Sequence, residues 1–248
     1  MPILRKKMTK QKCIHCYKKT RENKKYNTKK LKNLKLVIFD MDGVLTDTLS
    51  SWKYVHDYFK TSNEKSVKDY IQGKIDDMEF IRRDANLWVE NNKPVKKEKL
   101  VEILSEIKLM KGAEKTIRNL KEKKIKTAIV SAGLDILADK VGKKLGIDYV
   151  YSNGVKIDQH GFITSEGIIG VKLMYKDETI KRISREKNIS FENIASIGNS
   201  CFDIPMFDIT GLGIAFNPSD DCVTKYADYV IFEKNLERII SVLGKYID

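Results

Sequence analysis

The stretch Lys35-Leu36-Val37-Ile38-Phe39-Asp40-Met41-Asp42-Gly43-Val44-Leu45-Thr46-Asp47 sets the reading of this chain. Four apolar residues run into an acid, a second acid and a glycine. A short apolar run bounded by turn residues reads as a strand buried on both faces. From Gly112 onward the sequence alternates between helical and strand patterns. Ala113–Lys124 reads as a helix, and Lys126–Val130 as a strand ending at Ser131-Ala132-Gly133. Leu134–Leu145 reads as a helix that Gly146 caps. Tyr149–Ser152 is a strand, and Val155–Ile169 alternates around Gln159-His160-Gly161 as a β-hairpin would. Asp177–Lys187 is helical, Ile194–Ile197 is a strand ending at Gly198-Asn199-Ser200, and Ile204–Ile209 opens a short helix. Leu212–Phe216 and Tyr229–Phe232 are strands, and Leu236–Tyr246 is a last helix. This alternation predicts an α/β fold, a Rossmann-like parallel sheet with helices on both faces.

Residues 49–109 differ. They hold charged, amphipathic stretches at Trp52–Phe59, Asp76–Val89 and Lys97–Ile107, with Pro94 as a breaker and no strong strand run. They predict an inserted all-helical cap domain over residues 49–109, following the first strand, with the α/β core formed by 35–48 and 110–248. Ligands of such folds bind at the carboxyl ends of strands, near the switch in strand order. Three polar turns lie at predicted strand ends: Asp40–Asp42, Ser131–Gly133 and Asn199–Asp203. The fold should bring them together, with the helical block as a lid.

The segment Asp40-Met41-Asp42-Gly43-Val44-Leu45-Thr46-Asp47 resembles the first signature of the haloacid dehalogenase-like (HAD) phosphatases. Further elements fit in order: Ser131 after the second strand, Lys176 in Tyr175-Lys176-Asp177 before a helix, and Ile197-Gly198-Asn199-Ser200-Cys201-Phe202-Asp203, which is similar to the family's acidic fourth signature. The resemblance covers about residues 35–248 and is greatest to archaeal phosphoserine phosphatases with a helical cap, especially from Lys176 onward. Singly, each element has an ordinary reading as a turn, a helix cap or a solvated lysine. Four together at one sheet edge do not.

The resemblance implies a phosphomonoester hydrolase that acts through a phosphoaspartyl intermediate and uses Mg²⁺. Asp40 would be the nucleophile and Asp42 the general acid and base. Gly43, Ser131, Ala132, Gly133 and Lys176 would bind the phosphoryl group, with Gly43 allowing close approach of the backbone. Asp40, the Asp42 carbonyl, Asn199 and Asp203 would form the metal site, with Asp203 acting through metal-bound water. Mg²⁺ prefers such oxygen donors. The expected partner is a small phosphorylated metabolite.

The sequence departs from the family pattern in three places. Asn199 stands where the fourth signature usually has Asp, which removes one negative charge from the metal site. Leu49 stands where phosphoserine phosphatases carry a glutamate for the substrate amine. The cap arginine for the substrate carboxylate maps loosely onto Arg82 or Arg83, which alternatively pair with acids such as Glu79 and Asp84. The Asp-Gly-Val-Leu-Thr-Asp wording is commoner in sugar-phosphate phosphatases, so a sugar-phosphate or nucleotide phosphatase is the alternative substrate reading.

Charge is uneven along the 248 residues. Residues 1–35 hold 14 Lys and Arg against one acid, Glu22, and the remaining 213 residues hold 33 bases and 33 acids. The net charge of +13 therefore belongs to the N-terminal segment. Residues 1–34 read as a flexible basic arm with too few apolar residues to fold alone. It either contacts nucleic acid or another polyanion, or is a solvated leader (Met8 being an alternative start). A polyanion- or RNA-binding protein with a degenerate phosphatase domain is the reading from a different class. The arm's Cys13-Ile14-His15-Cys16 is half of a tetrahedral zinc site. His56, His160, Cys201 and Cys222 supply no second pair, so the thiols are exposed or join two arms. Four cysteines, no signal-like leader and no apolar run near the roughly 20 residues of a membrane span predict a cytoplasmic protein without membrane contact.

Overall fold

The computed structural model describes residues 31–247. The basic segment 1–30 and its Cys13–Cys16 pair lie outside the described residues. A seven-stranded sheet organises the chain. Its strands are β1 (Leu36–Phe39), β4 (Lys126–Leu134), β5 (Tyr149–Ile157), β6 (Ile163–Ile169), β7 (Ile194–Gly198), β8 (Leu212–Phe216) and β9 (Tyr229–Ile231). The spatial order is β6-β5-β4-β1-β7-β8-β9. Every neighbouring pair is parallel except β5–β6, the expected antiparallel hairpin. Strand order runs outward in both directions from β1, so β1 is the switch point and its carboxyl end opens a crevice between β4 and β7.

β1 is buried along its whole length. Val37 and Phe39 enter one hydrophobic cluster, whereas Leu36 and Ile38 enter the other. That period of two, with both faces apolar, is why a central parallel strand reads as a continuous apolar run. The second cluster contains Ile180 and Ile183 of α7 (Lys176–Lys187) and Ile204 and Met206 of α8 (Ile204–Phe207). The first contains Ile117 and Leu120 of α5 (Ala113–Glu122), Leu137 and Val141 of α6 (Asp135–Leu145), and Ile239 and Leu243 of α9 (Arg238–Leu243). Gly146 ends α6 at φ +68°, as its sequence position predicts.

Between β1 and α5 lie α1 (Ser51–Tyr58), α2 (Glu64–Ile71), α3 (Asp77–Ala85) and α4 (Lys97–Ser105). This block, expected to be all-helical, also carries a short antiparallel hairpin of β2 (Val89–Glu90) and β3 (Lys93–Pro94). Pro94 lies in β3, a two-residue strand without a further neighbour, where the missing N–H costs no ladder bond. The block leaves and rejoins the chain at one place: Asp47 N donates to Lys108 O (2.9 Å) and Met110 N to Leu45 O (2.8 Å). It is tied to the β5–β6 hairpin by Ile163 N to Val95 O (2.9 Å) and Lys97 N to Gly161 O (2.9 Å).

Two boundaries differ from expectation. Residues 31–34, assigned by charge to the arm, pack onto the body: Leu31 and Leu34 are buried, and Lys32 N donates to Glu192 O (2.7 Å). Ser131–Gly133, expected as a turn, continue β4 through a register irregularity between Val130 and Leu134. Such a bulge redirects side chains without ending the strand. Among the described residues no helix is long and apolar enough to cross a membrane.

Candidate active site

Asp40 follows β1 directly, and its N–H extends the ladder to Ile197 O (2.9 Å). The next residues curl back. Met41 O accepts from Val44 N (3.2 Å), Leu45 N (2.9 Å), Thr46 N (3.0 Å) and the Thr46 hydroxyl (3.1 Å). This tight loop carries Asp42 to the start of α1, where Asp42 Oδ2 accepts from Ser51 N (2.7 Å) and Ser51 Oγ (2.8 Å). Ser51 Oγ in turn accepts from Leu134 N (3.0 Å), and Trp52 Nε1 donates to Ala132 O (2.9 Å). Asp42, α1 and the end of β4 are therefore one hydrogen-bonded unit.

On the β7 side, Lys176 opens α7 and its side chain is buried. Its ammonium lies 2.7 Å from Asp203 Oδ1 and 3.0 Å from Asp40 Oδ1. Asp203 Oδ2 accepts from Asn199 N (2.8 Å) and Ser200 N (3.0 Å). Asn199 is also held through its carbonyl, by Ser219 N (2.7 Å) and Ser219 Oγ (3.0 Å). Gly43 has φ +79°, and a Cβ there would stand 2.1 Å from Asn199 Nδ2. The Asn199 side chain and the Gly43 backbone thus share a space only glycine leaves open. A Cβ on Gly133 would meet Asp42 Oδ2 and Ser51 Oγ at 2.8 Å.

Burial governs the electrostatics. It pushes the Asp40 carboxyl above the usual carboxylate range, opposed by Lys176 and the Ser131 hydroxyl and reinforced by Asp203. Burial also pushes Asp42 up to about 6, against the two hydrogen bonds from Ser51. Burial alone would push the Lys176 ammonium down, but Asp203 and Asp40 outweigh it and hold the group above the ordinary lysine range. A buried carboxyl that titrates near neutrality can give and take a proton under working conditions. Asp42 Oδ1 is buried with no hydrogen-bond partner.

These groups open into a cavity of about 370 Å³. Asp40, Asp42, Ser131, Ala132, Gly133, Lys176 and Asn199 line one end, and residues of α1, α2 and α3 line the other.

A family model described as haloacid dehalogenase-like hydrolase matches residues 34–208. The chain belongs to the haloacid dehalogenase-like hydrolases. This HAD-like hydrolase is 30% identical over 219 residues to a phosphoserine phosphatase of Methanocaldococcus jannaschii, covering 87% of this chain and 99% of that one. It is 33% identical over 216 residues to a phosphoserine phosphatase of Archaeoglobus fulgidus, covering 84% of this chain but only 60% of that protein's length. Among solved structures, a substrate-bound phosphoserine phosphatase complex superposes with a TM-score of 0.71 at 28% identity, over 88% of this chain and all of the other. A phospho-aspartyl intermediate analogue of phosphoserine phosphatase also gives 0.71, at 29% identity and the same coverage. The chain is thus a phosphoserine phosphatase-like HAD hydrolase.

The HAD-like chain brings Asp40, Asp42, Ser131, Ala132, Gly133, Lys176 and Asn199 to one end of the cavity, whereas Gly43, Asp203, Arg82 and Arg83 are not among its lining residues. Arg82 Nε donates to Glu79 Oε2 (2.7 Å), and Arg83 binds Glu79 Oε1 (2.7 Å) and Asp69 Oδ2 (2.9 Å). They take the alternative of local ion pairs, because Glu79, at i−3 of Arg82 and i−4 of Arg83 on the same helix, captures both. Asp203, expected among the metal-binding residues, is fully buried with both oxygens occupied by Lys176 and the Asn199–Ser200 amides. It positions those groups, and the role expected of it, acting through metal-bound water, calls for no direct ligand contact. Gly133 N, expected to face a phosphoryl oxygen, donates to Ser131 Oγ (3.2 Å). Ser51 and Ser219 were not legible in advance. A serine at a helix start signals only a cap, and nothing local shows that Ser51 Oγ reaches Asp42.

Proposed function

We propose that this chain is a Mg²⁺-dependent phosphomonoester hydrolase acting through a phosphoaspartyl intermediate on a small phosphorylated metabolite. The observation that carries this is the buried Asp40–Lys176–Asp203 cluster beside an Asp42 that titrates near neutrality. A carboxylate oxygen of Asp40 attacks phosphorus, and the bond from phosphorus to the leaving oxygen breaks. Asp42 protonates that oxygen, then takes a proton from the water that attacks the acyl phosphate. Phosphorus parts from Asp40, which regains its carboxylate as phosphate leaves. Lys176 and the Ser131 hydroxyl hold phosphoryl oxygens, so they neutralise charge without having to reorganise.

The donor set suits a hard cation. The Asp40 carboxylate, the Asp42 carbonyl and the Asn199 side-chain oxygen would hold Mg²⁺. Burial raises Asp40, and a nearby cation would favour its ionised, nucleophilic form. When bound, the ion neutralises the charge shared by nucleophile and phosphate. Residues 49–109 act as a cap whose closure excludes water.

The test is phosphate release from a panel of phosphomonoesters, with Mg²⁺ and with chelator, alongside beryllium fluoride trapping on wild type and Asp40→Asn. Release that needs Mg²⁺ and trapping that needs Asp40 are expected. Full turnover in Asp40→Asn would sink the mechanism.

A further inference from the structure

The cavity continues past the catalytic groups into a wall contributed mainly by α1, α2 and α3. Leu49, Trp52, Val67, Ile71, Phe80 and Ile81 line it, and Leu173 and Phe202 reach it from the sheet side. Leu49 is 70% exposed, an apolar side chain presented at the mouth without burial of its own.

Most polar groups on this wall already have partners, Asp84 Oδ1 being the exception among the described residues. Asp77 Oδ1 accepts from Tyr70 OH (3.0 Å) and Leu173 N (3.0 Å). Asp84 Oδ2 accepts from Asn63 Nδ2 (2.7 Å) and stands 3.2 Å from His56 Nε2. Asn153 spends its amide on Val171 O, Gly170 N and Val171 N.

Charge is equally selective. Lysines 53 and 176 are the cations among the lining residues, and no arginine is among them. Lys176 is committed to Asp40 and Asp203, while Lys53 is largely exposed and bound to Asp57 at 2.6 Å. A carboxylate or second phosphate on the leaving group would meet Asp77 and Asp84, and among the described residues the one lining cation outside the catalytic cluster, Lys53, is already paired with Asp57. Leaving such an anion unpaired out of water is costly.

We infer that the alcohol released by this site is apolar and carries no negative charge, with an aromatic ring lying between Trp52, Phe80 and Phe202. This rests on the phosphatase reading and deepens it. It sets the chain apart from the amino-acid phosphate named for its relatives. The cavity volume lies within the range of sites that enclose small ligands, about 300–1,000 Å³. Aromatic lining favours ring contacts beyond simple area burial.

Binding can be ranked without turnover by calorimetry on the full-length protein with Mg²⁺. Three phosphonates serve as probes: 3-phenylpropylphosphonate, propylphosphonate and 2-amino-4-phosphonobutanoate. The phenyl compound should bind at least tenfold more tightly than either of the others. Phe80→Ala should cut its advantage over propylphosphonate at least threefold, with propylphosphonate affinity unchanged. Leu49→Ala should cut it in the same direction, and Leu49 is too exposed for that change to compromise folding. Any ranking in which the amino-acid phosphonate comes within tenfold of the phenyl one overturns the inference. So does an advantage untouched by both variants, or no binding by any probe.

Hydrolysis of 2-phenylethyl phosphate and phospho-L-serine, both alkyl esters, separates this inference from the reading beneath it. The phenyl ester should be the better substrate. Hydrolysis with a reversed ranking breaks the pocket assignment alone. The expected phosphonate ranking without hydrolysis of either ester breaks the catalytic reading alone.

Discussion

On the sheet side of the cavity, Lys176 lies within 3.0 Å of both Asp40 and Asp203, all three buried. On the facing side, Leu49, Val67, Ile71 and Phe80 present hydrocarbon, and Arg82 and Arg83 are held away by Glu79 and Asp69. The first wall clusters two acids around one lysine. The second carries two carboxylates, Asp77 and Asp84, amid hydrocarbon, so on the reading proposed above what it accepts depends on shape, apolar area and the absence of negative charge. On the proposed reading, reaction and selectivity rest on different physics within one cavity: preorganised charge at strand ends, and dispersion with water exclusion on the inserted block.

The largest effect should come from the charged wall. Asp40→Asn is expected to lower kcat by at least about a thousandfold, ~4 kcal/mol of barrier, with the thermal melting profile retained. Comparable turnover in the variant would show that the charged wall is not where the chemistry occurs.

The supports of that wall come next. Ser51→Ala removes one of two hydrogen bonds that aim Asp42 and should lower kcat about tenfold with KM little changed, since general acid–base catalysis contributes roughly 10²–10⁴ in all. A rise in KM alone would place Ser51 on the substrate-binding side instead. Asn199→Asp adds a carboxylate to the wall, so the Mg²⁺ concentration for half-maximal activity should fall about tenfold, ~1.4 kcal/mol. The variant should also melt lower with chelator and recover more on adding Mg²⁺. An unchanged response in both measurements would remove Asn199 from the metal set.

Smaller effects belong to regions outside both walls. Deleting residues 1–30 should leave kcat unchanged. Starting instead at Leu34 removes the buried Leu31 and should cost about 1.5–3 kcal/mol of stability in urea titration, the range for burying one leucine. Equal stability of the two proteins would mean that Leu31 adds nothing. The smallest effect expected is from Arg82→Ala or Arg83→Ala, less than twofold in kcat/KM on any phosphomonoester. A selective loss on carboxylate-bearing esters would show that these arginines leave Glu79 and swing inward when substrate binds.

The sheet was largely legible because its signals are local. Leu36–Phe39 is apolar on both faces, Gly146 supplies a left-handed helix end, and the β5–β6 hairpin announces itself at Gln159–Gly161. The inserted block was read less well. The α2 helix carries only Val67, Tyr70 and Ile71 as large apolar residues, a weak periodic signal. The β2–β3 hairpin has two residues per strand and is exposed. Its pattern offers nothing to distinguish it from a turn.

Sequence alone determined the order of the strands' chemical endings: Asp40 and Asp42 after the first, Ser131 after the second, Asn199 and Asp203 after another, although Ser131 proved to lie within a continuation of its strand. Each lies beside a backbone turn that its own neighbours dictate. Only the tertiary structure decided which atoms meet. Lys176 reaches Asp203 across 27 positions and Leu134 reaches Ser51 across 83. Those distances are closed by the parallel sheet, which aligns strand ends that no local pattern relates. The arginines show the same division in reverse. Their presence beside Phe80 was plain in the sequence, but their direction was settled by Glu79, three and four residues back on α3, and by Asp69 on α2, because a helix aims each side chain by its turn and not by its neighbours in the chain.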